Sequence, residues 1–189
     1  MAPGDGFTLT RASVVDETHA VAGALDRAFV EEFTQRWLEA HQSHDVEKVL
    51  ACLADDFALD DSGWPTTIRG HADLRQYLEY MWRGFPDMRY EPLGVYVDPD
   101  APRSAGYWRC FATHTGPFDP PGLAPTGKRV EFVGADFYEF RDGKLVKERS
   151  VFDMADVMRQ LGVLPATGSR AERLTMRLTN LRTRLRLAR

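Results

Sequence analysis

The stretch that most constrains this chain is 88–152, where four long β-type segments follow one another with nothing helical between them. They fall at 88–98, 105–115, 128–140 and 145–152. Pro99 with Pro102, a run from Pro117 to Gly127, and Asp142-Gly143 part them. Such segments read as a meander of long antiparallel strands, which needs cover on one face. The first half of the chain supplies it. Val30, Phe33, Trp37 and Ala40 recur at helical spacing, which predicts an amphipathic helix from Ala24 to about Gln42.

Asp45 can cap a short second helix carrying Val46, Val49, Leu50 and Leu53, ended by Ala54-Asp55-Asp56. Phe57-Ala58-Leu59 then begins a strand, interrupted by Gly63-Trp64-Pro65 and resumed by Thr66-Thr67-Ile68. Gly70-His71-Ala72-Asp73 opens a third helix with Leu74, Tyr77, Leu78 and Met81 on one face, and Pro86 stops it. A last short helix runs from Asp153 to Leu161, ended by Gly162 and Pro165. The expected fold class is α+β: a curved sheet of long antiparallel strands with the N-terminal helices packed on one face. Three regions follow: an arm at 1–26, a domain at 27–164 and a basic amphipathic helix at 165–189.

Composition excludes several classes. Eleven Phe, six Tyr and four Trp supply too much apolar surface for disorder, and no uncharged apolar run approaches the ~18 residues of a membrane span. Cys52 and Cys110 lie inside apolar patterns and read as buried thiols, and the first residues lack a signal-peptide pattern. The expected location is cytoplasmic. The net charge of -4 averages two unlike parts, because residues 170–189 hold seven Arg and one Glu, leaving -10 on the rest. That acidic body, and a tail without aromatic residues for stacking on bases, argue against nucleic acid. Leu174, Leu178, Leu181 and Leu185 share one stripe of the tail, which suits docking on the body or on a second subunit rather than on a membrane.

Several local motifs, in order and spacing, carry a resemblance. They are Thr113-His114-Thr115-Gly116, Pro125-Thr126-Gly127-Lys128, Gly134-Ala135-Asp136-Phe137-Tyr138, Arg141-Asp142-Gly143-Lys144 and Arg159-Gln160-Leu161-Gly162. Together they resemble the SnoaL-like polyketide cyclases, within the nuclear-transport-factor-2-like superfamily, over roughly 27–164. The resemblance implies a cone-shaped α+β barrel with one deep apolar pocket, dimeric through the outer face of its sheet. Its members include cyclases, epoxide hydrolases, isomerases, cofactor-free hydroxylases and proteins without catalysis, so the fold does not choose among them. The cyclases' aspartate falls here at Ser150 and their histidine at Asp136. The Arg-x-Asp pattern of the epoxide hydrolases falls at Ala112-Thr113-His114, so that triad is missing.

The pocket face depends on the hairpin register. A two-residue Asp142-Gly143 loop sets Asp136 opposite Arg149, whereas a bulged three-residue loop sets it opposite Ser150. The bulged register is adopted, because it gathers Phe132, Gly134, Asp136, Tyr138, Val146, Glu148, Ser150 and Phe152 on one mostly apolar face. Asp136 is then the preferred base, Glu148 a second candidate, and His114, Ser150 and Tyr138 hydrogen-bonding partners for a developing enolate. The structural alternative has Asp136 pairing with Arg149 or His114 and Glu148 facing water. Trp64, Tyr77, Met81 and Trp108, with Phe132 and Phe152, are expected to bind substrate, and either Asp60 or Asp61 can reach the pocket opening.

His41 and His44 read as solvated helix-end residues rather than a metal site. No cofactor and no metal are expected; the partners are a small hydrophobic molecule and a second copy in a homodimer. The leading reading is a cyclase or isomerase of a polyketide-like or other hydrophobic carbonyl compound. The alternative is a non-catalytic binding or assembly protein of the same fold.

Overall fold

The computed structural model describes residues 25–118 and 122–187. Helices α1 (Arg27–Gln42) and α2 (Val46–Leu50) lead into strands β1 (Leu53–Asp61) and β2 (Ile68–Arg69), then α3 (Gly70–Gly84). Strands β3 (Arg89–Val97), β4 (Arg103–Thr113), β5 (Arg129–Arg141) and β6 (Lys144–Phe152) follow, then α4 (Met154–Leu161) and α5 (Arg170–Leu187). One open sheet holds all six strands in the order β2-β1-β6-β5-β4-β3. The expected α+β class therefore holds, and most of the expected arm lies outside the described residues.

Local chemistry accounts for the helix ends. Asp26 accepts a hydrogen bond from the Ala28 amide at α1, and Asp45 accepts from the Glu47 and Lys48 amides at α2. Gly162 closes α4 in the left-handed region at φ 80°. Helix α1 packs on β3, α3 on β1 and α4 on β5. Phe33, Phe57, Phe140 and Leu145 are fully buried between the layers, each worth about 1.5–3 kcal/mol relative to exposure. Cys52 and Cys110 are free, buried thiols. No residue of α5 is buried.

Three expectations need correction. Ala54-Asp55-Asp56 does not end α2 but lies within β1, because the chain extends as soon as Leu53 pairs with Leu145. Residues 68–69 do not resume β1; they fold back antiparallel, setting Ile68 against Leu59 and Arg69 against Ala58. The sheet is not wholly antiparallel either, since β1 runs parallel to β6. That pairing brings the first strand beside the last and puts Asp61 opposite Ser150.

The β5–β6 hairpin combines features of both registers considered. Asp142 and Gly143 both have positive φ, 52° and 74°, so the loop is a two-residue turn of the kind Asp-Gly favours. Arg141 and Lys144 pair directly across it, and the ladder then shifts between Glu139 and Phe140. The bulge restores Asp136 to Ser150 and Tyr138 to Glu148. It also makes Leu145, not Val146, the buried residue near the turn.

Candidate active site

A cavity of about 130 Å³ lies between α1, α3 and the concave side of the sheet. The β-ladder sets its floor. Asp61, Ser150 and Asp136 form one row across β1, β6 and β5, and Leu59, Glu148 and Tyr138 form the next. All four polar residues read on β5 and β6, namely Asp136, Tyr138, Glu148 and Ser150, border the cavity, as do Tyr77, Met81, Trp108, Phe132 and Phe152. Arg149 faces outwards, exposed.

Asp136 is 8% exposed. Its Oδ2 accepts hydrogen bonds from the Trp108 indole N–H at 2.7 Å and the Tyr138 hydroxyl at 2.9 Å. Its Oδ1 is buried without a hydrogen-bond partner. Burial pushes this carboxyl up to about 6, against the pull of Ser150, Tyr138 and Trp108, and the charge of Asp61 adds to the rise. Trp108 reaches Asp136 because its ring lies over Gly134, the residue paired with it on β5. A Cβ on Gly134 would sit 2.4 Å from that ring, so only glycine leaves the space.

Glu148 is 7% exposed and has no hydrogen bond or ion pair with another described residue. Burial, then the charges of Asp136 and Asp61, push its carboxyl well above the ordinary glutamate range. Asp61 is the third carboxylate. Its Oδ2 accepts from the Tyr77 hydroxyl at 2.8 Å and its Oδ1 from the Gly63 amide at 2.6 Å, while burial raises its pKa. Of the two acids expected near the opening, Asp61 borders the cavity and Asp60 does not; Asp60 accepts from the Thr67 hydroxyl instead.

Two proposed residues stand apart. His114 is fully buried but does not border the cavity; its ring packs near Phe85 and Phe118, and its Nδ1 accepts from the Thr126 amide at 3.2 Å. Its neighbourhood is architectural. The Thr115 and Gly116 amides both donate to the Gly84 carbonyl, and a Cβ on Gly116 would lie 1.8 Å from the Arg83 carbonyl oxygen. The Thr113–Gly116 motif thus ties β4 to the end of α3. Trp64 lies behind the wall, edge-on to the Tyr77 and Tyr80 rings at 5.3 Å from each.

The histidines read as solvated are not so. His41 borders the cavity beside Trp37 and Tyr90, and burial lowers its pKa to about 4, leaving it neutral. His44 stacks on Trp82 at 4.9 Å and meets the Met88 carbonyl through Nε2 at 2.8 Å. Besides His41, the helical-period reading missed Tyr90, whose inward position follows from alternation along β3. Among the described residues no group of three His, Cys, Asp or Glu is placed to hold a metal ion. No helix among them is long and apolar enough to cross a membrane.

A curved, helix-covered sheet over a deep cavity is the fold of the nuclear-transport-factor-2-like class. Within that class the chain belongs to the SnoaL-like polyketide cyclase family, whose model matches residues 31–161. Among similar solved structures is AclR from Streptomyces galilaeus, assigned as a hydroxylase. It shares 25% identity at a TM-score of 0.64, over 74% of this chain and 100% of that one. TsrD from Streptomyces laurentii shares 21% identity at 0.64, over 74% and 99%. A protein assigned as a SnoaL-like polyketide cyclase from Jannaschia sp. CCS1 shares 18% at 0.65, over 75% and 99%. The latter two bear on the fold alone. No curated protein matches the chain in sequence.

Proposed function

We propose that the chain is a cofactor-independent enzyme that cyclises or isomerises a polyketide-like or other hydrophobic carbonyl compound by acid/base catalysis. The observation that carries this is the pair of buried carboxyls, Asp136 and Glu148, on facing strands at one cavity, Asp136 raised to about 6 and Glu148 well above its ordinary range by burial and by the neighbouring acids. Two raised carboxyls at one cavity can divide the acid and base roles. Asp136, near 6, is mostly ionised at neutral pH and takes the proton from carbon next to the carbonyl; its unpartnered Oδ1 is the oxygen free to receive it. Glu148 holds its proton and gives it to the carbonyl oxygen as the C–H electron pair moves in to form the enol. Returning a proton to another carbon completes an isomerisation; attack of the enol carbon on a second carbonyl closes a ring. Trp108 and Tyr138 fix the base, and Ser150 lies across the ladder from it.

The test is deuterium exchange. A panel of hydrophobic β-dicarbonyl compounds incubated in deuterium oxide should exchange α-protons faster with the protein than without it. Asp136→Asn should return the rate to background. Unchanged exchange in that variant removes Asp136 from the mechanism. The second reading, a non-catalytic binding protein, draws support from the two hydrogen bonds that weaken Asp136 as a base. Binding without exchange in the same experiment would favour it.

Association as a homodimer belongs to this proposal. The outer face of the sheet exposes Tyr107, Val133 and Phe137, three apolar side chains on adjacent strands that a second copy would cover.

A further inference from the structure

The cavity wall has a charge balance that a neutral carbonyl compound does not meet. Asp61, Asp136 and Glu148 border it, and among the described residues no Lys or Arg does. The lining histidine, His41, is neutral. With strands about 4.8 Å apart, the Asp61 and Asp136 backbones stand about 10 Å from one another across Ser150. Glu148 lies about 7 Å along the middle strand. Three carboxyl groups thus surround one small space. Asp136 is more than nine-tenths buried, and its Oδ1 has no partner. Tyr77, Tyr90, Trp108 and Phe132 present aromatic rings to the same space. Acidic groups and aromatic rings together are the setting in which a desolvated cation is held, by charge-assisted hydrogen bonds and by ring faces.

We propose that the ligand of this cavity carries a cationic nitrogen, an ammonium or iminium group, on a hydrophobic body. The inference rests on the reading that this cavity is the substrate site, and narrows the hydrophobic carbonyl compound to one bearing a basic nitrogen. The cation sits over Ser150, between Asp61 and Asp136, with the apolar part against Trp108, Phe132 and Phe152. Such a substrate brings the positive charge that the wall lacks. That charge stabilises an enolate formed beside it and makes the neighbouring C–H more acidic, which compensates for the lower basicity of Asp136 next to a cation.

Benzylamine, benzyl alcohol and benzoate are suitable probes, because a cavity of about 130 Å³ is close in size to one that takes a benzene ring. Calorimetric titration of the full chain at neutral pH should show benzylamine binding about tenfold or more tighter than benzyl alcohol, with benzoate weakest. Asp61→Asn should shrink the preference for the amine, and Asp61→Asn with Asp136→Asn should abolish it. The wild-type comparison decides by itself if a variant fails to fold. Equal binding of the amine and the alcohol, or tightest binding of benzoate, overturns the cationic ligand and leaves the proton-transfer reading to its own exchange test. Failure of all three to bind overturns the substrate-site reading together with this one.

Discussion

Replacing Asp136 by Asn should stabilise the protein at alkaline pH and do little at acidic pH. The pKa of this carboxyl rises from its ordinary 3.8 to about 6 on folding, with burial the largest cause. The folded chain therefore binds that proton more tightly than the unfolded chain. Stability from this group is fully present below pH 3.8 and is lost as pH rises through about 6, a change of about 3 kcal/mol. Asn keeps a carbonyl oxygen that can accept from Trp108 and Tyr138 but never ionises. Urea denaturation of both proteins between pH 4 and 8 isolates the effect, since groups distant from the cavity cancel in the difference. The variant should gain up to about 3 kcal/mol on the wild type between the two ends. Glu148 sharpens the result, because it loses the neighbouring charge that helps hold it protonated. A difference that stays flat with pH, or that moves against the variant as pH rises, refutes the assignment of a buried carboxylate at Asp136.

Other substitutions separate the parts of the molecule. Gly134→Ala puts a methyl into the Trp108 ring and should cost about 1–3 kcal/mol, read as a lower melting temperature with a shifted tryptophan emission. The proposed dimer should sediment as a monomer once Phe137→Arg charges the exposed outer face, with the melting temperature close to wild type; a wild type that is already monomeric removes the dimer. Ending the chain at Leu164 should leave thermal stability and α-proton exchange unchanged, because α5 contributes no buried residue. A large loss of either would show that the tail supports the cavity.

The strand half of the fold was legible because alternation and turn residues are local signals. Asp142-Gly143 marked its turn, and the demand for an apolar inward face selected Ser150 as the partner of Asp136. What local signals do not carry is pairing between distant segments. The parallel contact of β1 with β6 leaves no mark in either strand, so Asp60 and Asp61 could not be told apart, and the third carboxylate was seen only as one of two. His41 was misread for a related reason. At a helix end it has the spacing of a solvated residue, but the rings of Trp37 and, from β3, Tyr90 cover much of it. Trp64 and His114 go the other way: both were expected at the pocket, yet each packs its ring behind the wall.

The pairing of the first strand with the last also has a kinetic meaning. Asp61 and Ser150 are roughly ninety residues apart in the chain, whereas Asp136, Glu148 and Ser150 come together within one hairpin. Closing the longer loop is the slower event, so the two carboxylates of the hairpin meet before the third arrives. Until β1 docks, water still reaches Glu148 and the charge of Asp61 is not yet beside the hairpin. The electrostatic burden of the site then falls on the final step of folding, and mutations that discharge Asp61 should speed that step.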